Sequence, residues 1–168
     1  MSDDEATRAA AALAGLLGRT VAELAARDAR QESLATVKAS RRLLLVHTSA
    51  SLLPAGRAWR LGVLLLGPEG QVWATGTITR ATEPKREQHL SASVEERRDA
   101  RRAASRKFAE GEVVNYGHVP VRTDAEALRS GTAEPLVLVG DAVHVRWGRG
   151  PGELRELGEY LADRADLL

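Results

Sequence analysis

The side chains best suited to bind anions are concentrated in the segment over residues 93–108 (SVEERRDARRAASRKF). A capping box formed by Ser93 and Glu96 predicts that this segment is a helix. Five arginines lie on two adjacent ridges of that helix: Arg97, Arg98, Arg101, Arg102 and Arg106. We expect the ridge of three that begins at Arg98 to face solvent. Guanidinium groups bind phosphate and carboxylate groups through paired hydrogen bonds, so the pattern indicates an anion-binding surface.

The charge around this helix leaves two interpretations open. Residues 80–107 carry nine basic and five acidic side chains, a net charge of +4. One interpretation is a contact surface for an acidic protein or a polyanion. The other is a solvated helix face on which Glu95 and Asp99 neutralise their neighbours. No aromatic side chain is interleaved with the arginines, which argues against a stacking platform for single-stranded nucleic acid.

Histidine side chains are the next candidates for chemistry, and their spacing predicts no metal site. The chain has four histidines, and none stands in an HxH, HxxxH or HExxH pattern. Tyr116 and His118 share one face of a predicted strand, and His144 and Arg146 share one face of another. If these strands are neighbours, the four side chains form a polar cluster that acts as a general base or binds an anion. A solvated sheet face with satisfied side chains is the other interpretation.

A loop hydroxyl is a further candidate for catalysis. His47 and Ser49 follow residues 43–46, a short apolar run that predicts a strand, and site residues often lie just past a strand. They would serve as the base and nucleophile of a small hydrolase. Neither a GxSxG nor an SxxK motif is present, and serine and threonine also commonly form turns.

Three glycines precede the predicted C-terminal helix: Gly148, Gly150 and Gly152. A helix N-terminus behind such a loop binds anions through its free N–H groups. The spacing differs from the dinucleotide-binding fingerprint, however, and no second strand follows. We therefore interpret the glycines as the break before a helix.

The predicted elements place these candidates in a single α+β domain over residues 1–168. Capping boxes at Ser2 and Thr20, with Gly18 between them, predict a helical hairpin within an N-terminal helical region, residues 1–40. Residues 32–42 are interpreted as a connector. A sheet with helices then occupies residues 43–168. Its hairpin connections predict an antiparallel sheet of about five to six strands, with the central Arg-rich helix and a C-terminal helix packed on one face.

Apolar periodicity predicts the core of this domain. Strand alternation predicts four buried side chains: Val63, Leu65, Val72 and Ile78. The final helix should begin at Pro151 and dock against the sheet through three leucines on one face: Leu154, Leu157 and Leu161.

Composition excludes several classes of function. The chain has 168 residues and no cysteine, so disulfides, thiolate catalysis and iron–sulfur clusters are excluded. Its net charge is +1, with 21 arginines against 3 lysines, and gives no overall bias towards nucleic acid or membrane. The acidic N-terminus does not resemble a signal peptide, and no transmembrane helix is expected. We expect a cytoplasmic protein without a cofactor, and the sequence leaves its oligomeric state open.

Several stretches carry a resemblance to a known family: GRAWRLGVLLLGPEGQVWATGTITR, FAEGEVVNYGHVPV and the closing YLADRADLL. They resemble a family of small actinobacterial proteins, some of which carry automatic glutaminase labels. The resemblance covers residues 56–168 and implies amide hydrolysis as an activity. The serine-dependent form of that chemistry needs a Ser-x-x-Lys pair, and none of the three lysines has a serine three residues before it.

Two functions from different classes therefore remain. The first is a non-enzymatic binding or protein-interaction domain that uses the Arg-rich helix. The alternative is a small amide hydrolase that uses His118 or His47 with a loop hydroxyl or Tyr116.

Overall fold

The protein is a mixed α+β structure with mostly antiparallel strand pairing, as the sequence predicts. A computed structural model describes residues 3–38, 51–83, 92–148, 150 and 152–168. The helices in this part of the chain are α1 (Asp3–Ala26), α2 (Ala92–Ser105), α3 (Ala125–Ser130) and α4 (Leu157–Ala165). The strands in it are β1 (Glu32–Lys38), β2 (Ser51–Leu61), β3 (Leu64–Leu66), β4 (Val72–Ala74), β5 (Thr77–Arg80), β6 (Val113–Tyr116), β7 (Val119–Pro120), β8 (Leu136–Val139), β9 (Ala142–Arg146) and β10 (Leu154–Glu156).

The chain forms two compact units, each built from separate stretches of sequence. Unit 1 comprises Met1–Gln31, Ala58–Thr75 and Val119–Leu168, and unit 2 comprises Glu32–Arg57 and Gly76–His118. Strand β2 contributes its residues 51–57 to unit 2 and its residues 58–61 to unit 1.

Unit 1 packs three helices and two groups of strands around an aliphatic core. The end of β2 pairs with β3, β3 with β4, and β4 with β7, while β9 lies between β8 and β10. The hairpin of β8 and β9 around Gly140 and Asp141 confirms the tight turn predicted there. Leu65 and Val72 are buried as predicted, and Val63 is partly buried against the core.

The predicted N-terminal helical hairpin is wrong, because α1 is one continuous helix. Its buried residues recur every three or four positions: Ala6, Ala9, Leu13, Leu17, Thr20 and Leu24. That spacing puts them on one face, which packs into the core of unit 1. Gly18 lies on the exposed face, where its cost of about 1 kcal/mol is small beside the burial of that stripe. Helix α1 is also long and apolar enough to cross a membrane. Core helices of soluble proteins meet the same criteria of length and composition.

Unit 2 contains the strands that position the Arg-rich helix. Their order is β5-β6-β1-β2, with β5 antiparallel and β1 parallel to β6. Helix α2 packs against β5. A small core joins the helix to the sheet: Ala35, Leu52, Ala81, Ala104 and Val114.

Several predicted element boundaries are wrong. Residues 32–38, interpreted as part of a connector, form β1, and the described part of the loop predicted after residue 46 lies in β2. The ten described strands exceed the predicted five to six, because three of the predicted strands are each divided in two and because β1 and β10 were not predicted as strands. Ile78, predicted in the core, is 46% exposed on β5. The strand predicted over residues 43–46 lies outside the described residues.

The C-terminal helix is shorter than predicted. It begins at Leu157, and Leu154 lies half-buried in β10 instead of on the helix. The carboxylate of Glu156 fixes this start, because it accepts hydrogen bonds from the backbone N–H groups of Gly158 at 3.0 Å and Glu159 at 2.9 Å. Leu157 and Leu161 are buried in the core as predicted.

Candidate anion-binding cleft

A cleft of about 260 Å³ lies in unit 2, where α2 passes over β5 and β6. Its lining combines three arginines with a tyrosine and smaller side chains: Ile78, Thr79, Arg80, Arg97, Ala100, Arg101, Val113 and Tyr116. Three of these residues, Arg97, Arg101 and Tyr116, are candidates from the sequence. The cleft therefore brings the Arg-rich helix and one of the proposed polar strand residues together.

The arginines reach the cleft from two elements. Arg97 and Arg101 stand one helical turn apart on α2, and both are exposed. Arg80, at the end of β5, donates a hydrogen bond from its guanidinium group to the carbonyl oxygen of Gly111 at 3.1 Å. A guanidinium group has five N–H donors, so this bond anchors Arg80 and leaves donors for a ligand.

Tyr116 adds a neutral hydroxyl group to the cleft. It ends β6 and lies opposite Thr77 on β5 and Ala35 on β1. Burial raises the pKa of Tyr116, the hydrogen bond with Thr77 opposes this rise, and the nearby charge of Glu96 adds to it. The phenol is therefore protonated at neutral pH and can donate a hydrogen bond to an anion.

Of the three arginines predicted to face solvent as one ridge, Arg102 and Arg106 are exposed and Arg98 is not fully so. Arg98 is half-buried, and its Nε atom is buried without a hydrogen-bond partner among the described residues. Arg102 is exposed and lies 3.7 Å from a carboxylate oxygen of Asp99, and Arg106 is exposed beyond the end of α2. The ridge next to it, Arg97 with Arg101, is the one that lines the cleft.

Sequence reasoning missed Arg80 as a site residue. Helical periodicity relates only residues on one helix, and Arg80 belongs to a strand that precedes α2 by an intervening segment. The pairing of β5 with β6 beneath α2 brings it to the cleft. Its position beside the basic helix in the sequence, within the net-positive stretch 80–107, was the signal available.

Strand pairing does not join the two pairs of polar residues predicted to form a cluster. Strand β6 lies between β5 and β1, whereas β9 lies between β8 and β10. Burial lowers the pKa of His118, and a hydrogen bond with the backbone of Asn115 opposes that shift. His144 Nδ1 lies 3.3 Å from the carbonyl oxygen of Ala142, and Arg146 lies 3.8 Å from Glu134. His47 and Ser49 fall outside the described residues.

In the glycine-rich segment after β9, a carboxylate of the same chain already accepts a backbone hydrogen bond. Glu153 accepts a hydrogen bond from the backbone N–H of Gly150. The backbone then continues as β10, so no helix begins at this loop. The segment therefore does not present the free helix N-terminus that anion binding would require.

Unit 2 also contains a polar cluster that was not predicted from the sequence. Ser33, only 4% exposed, donates a hydrogen bond to the carboxylate of Glu112, and Arg57 lies 3.1 Å from the same oxygen. The backbone N–H of Ala109 donates to the other carboxylate oxygen at 3.0 Å. These partners lower the pKa of Glu112, the hydrogen bond from Ser33 most of all. The cluster ties β1, β2 and the turn before β6 together, which is a structural role.

The described ranges contain no group of three or more histidine or acidic side chains arranged to hold a metal ion. Comparison with protein-family models, with curated proteins and with solved structures returns no match to this chain. We therefore infer the function from the cleft itself.

Proposed function

We propose that the protein is a non-enzymatic binding module that captures anionic groups in the cleft of unit 2, on an acidic protein or another polyanion. The observation that carries this proposal is the convergence of Arg80, Arg97 and Arg101 on one cleft beside a neutral phenol. Guanidinium groups fixed on a helix and a strand can bind a carboxylate or phosphate group through paired hydrogen bonds.

The composition of the cleft favours binding over amide hydrolysis. Hydrolysis of an amide without a metal requires a nucleophile and a base within hydrogen-bond reach of each other. The residues that line the cleft include no histidine and no carboxylate, and the charge of nearby Glu96 adds to the effect of burial that keeps Tyr116 neutral. What this lining offers instead is positive charge and hydrogen-bond donors, which recognise an anion without transforming it.

The arginines of the cleft also differ from the other helix arginines in their surroundings. Arg102 lies beside Asp99 on the exposed surface, where such a pair contributes little. Arg97 and Arg101 line the cleft together with Ala100 and Val113.

The proposal is tested by following the arginine side-chain Nε–Hε signals in NMR spectra during titration with inorganic phosphate and with glutarate. We expect Arg97 and Arg101 to shift with both anions. The double variant Arg97→Gln/Arg101→Gln should lose the shift of Arg80 as well. Its matched control is Arg102→Gln/Arg106→Gln, which removes the same charge outside the cleft lining.

The expected result is retention of anion binding in the control and its loss in the cleft variant. Equal loss in both variants would show that only the net charge of the surface matters. Absence of any shift in the wild-type cleft arginines at anion concentrations of tens of millimolar, on the order of weak surface affinities, would overturn the proposed function.

A further inference from the structure

Strand β5 forms one wall of the cleft and is also the last strand of its sheet. Within the described ranges it pairs with β6 on one side, and it stands at the end of the strand order in unit 2. An edge strand offers a row of backbone N–H and C=O groups to another strand. The anion-binding arginines and an available strand edge therefore occur at the same place.

We propose that the ligand of this cleft is an extended acidic segment of a partner protein, which adds to β5 as a further strand and seats its carboxylates against Arg80, Arg97 and Arg101. This inference rests on the proposed function and names the class of ligand. Main-chain hydrogen bonds supply affinity in such strand addition, and pockets for alternate side chains supply specificity.

The backbone of β5 presents suitable groups at Ile78. The residue that follows the end of β5, Ala81, bonds towards the β6 side, since its N–H donates to the carbonyl oxygen of Glu112 and its own carbonyl oxygen accepts from the N–H of Gly111. Antiparallel pairing alternates between residues that bond to the neighbour and residues that face away. Thr79 and Thr77 therefore bond towards β6 as Ala81 does, and the N–H and C=O of Ile78 point away from β6.

Arginines and one exposed apolar side chain lie next to that edge. Ile78 is 46% exposed and offers an apolar contact. The cleft, at about 260 Å³, is smaller than the roughly 300–1,000 Å³ of typical small-molecule pockets. It can hold one or two side chains of a larger partner, and its arginines select carboxylates among them.

The charge distribution favours an acidic peptide over nucleic acid. The net charge of the chain is only +1, and Asp99 accompanies Arg102 on the exposed part of the helix. Nucleic acid binding depends on many phosphate contacts along an extended basic surface. Three arginines around one cleft match a short acidic segment instead.

The experiment uses the full-length protein and the capped peptide Glu-Val-Glu-Val-Glu-Val-Glu. Three analogues accompany it: one with glutamine for every glutamate, one N-methylated at the valines, and one N-methylated at the inner glutamates. N-methylation removes backbone donors from one edge of the peptide and keeps its charge. Binding is measured by titration calorimetry, and the backbone amide signal of Ile78 is followed by NMR.

We expect the acidic peptide to bind and to shift the amide signal of Ile78. The glutamine analogue should bind at least about tenfold more weakly because it lacks charge. One of the two methylated analogues should weaken by about tenfold or more, and the other should bind nearly as well as the parent, because only one edge of an added strand faces β5. The variant Arg97→Gln/Arg101→Gln should lose binding, and Arg102→Gln/Arg106→Gln should retain it.

Equal binding by both methylated analogues would overturn strand addition. Strand addition would also be overturned if the peptide failed to bind while phosphate and glutarate still shifted the signals of Arg97 and Arg101. The proposed function would then stand without this inference. Preferential binding of a short DNA duplex through the same arginines would overturn the peptide as ligand. If the wild-type protein binds neither the peptide nor the small anions, the proposed function is overturned as well.

Discussion

Gly62 and Tyr160 are packed so closely that a Cβ atom at position 62 would lie less than 3.0 Å from the phenolic oxygen. The hydroxyl group of Tyr160 accepts a hydrogen bond from the N–H of Val63 at 2.9 Å and donates one to the carbonyl oxygen of Leu61 at 3.3 Å. The ring also lies 5.2 Å from the guanidinium carbon of Arg164. Helix α4 thereby holds the turn between β2 and β3 in unit 1.

Substitution of Gly62 by alanine should destabilise the protein by about 2–5 kcal/mol. The residue has a φ of 63°, which costs a side chain roughly 1–2 kcal/mol, and overpacking against Tyr160 adds about 1–3 kcal/mol. The control is Gly70→Ala, at a φ of 84° with open space around it, which should lose only the conformational part. Urea unfolding measures the free energy of unfolding of both variants. Equal losses would contradict the close packing of Tyr160 against Gly62.

Substitution of Gly18 by alanine should stabilise the protein by about 0.5–1 kcal/mol. Gly18 lies inside α1, and apart from its chain neighbours and the adjacent backbone of the helix no atom lies within 4 Å of an added Cβ, so alanine gains helix propensity without a clash. Gly131→Ala is the opposite control, because Gly131 ends α3 in the left-handed region at a φ of 72°. If Gly18 ended a helix as in the hairpin, its substitution would instead destabilise the protein.

Substitution of Ser33 by alanine should reduce the pH dependence of stability in acid. The pKa of Glu112 lies below its usual value of 4.5 in the folded protein, chiefly because Ser33 donates a hydrogen bond to its carboxylate. The folded state thus binds this proton more weakly than the unfolded chain. The resulting stability is complete above pH 4.5 and disappears as the pH falls through the lowered folded pKa.

The Ser33→Ala variant should therefore be less stable than the wild type at neutral pH, and the difference should shrink in acid. Thermal unfolding over that pH range measures it. Ser105→Ala is the control, because the Ser105 hydroxyl bonds to the backbone carbonyl of Arg102 on its own helix. A Ser33→Ala loss that stays constant from neutral to acid pH would refute the role of Glu112.

Substitution of Leu161 by alanine should cost about 2–5 kcal/mol, because this side chain is 2% exposed in the core of unit 1. Leu154→Ala should cost clearly less, because Leu154 lies half-buried in β10. Denaturant unfolding of the two variants compares them directly. Equal costs would support the longer helix that the sequence predicts, with both leucines on its buried face.

Features that depend on neighbours along the chain can be predicted from the amino-acid sequence. The turn at Gly140 and Asp141 follows from two short β-rich runs around a two-residue loop. The burial of Leu161 follows from a 3.6-residue apolar period. The positions of Arg97 and Arg101 on one side of a helix follow from their spacing of four.

Features that depend on contacts between distant segments are visible only in the folded protein. Burial of a long stripe keeps α1 continuous through Gly18, although local signals favour a break there. The hydrogen bond between Val63 and Tyr160 and the parallel pairing of β1 with β6 join residues far apart in sequence. The cleft likewise exists because β5 and α2 meet in space and bring Arg80 to the helix arginines. Side-chain periodicity describes one element at a time and cannot specify which elements pack together.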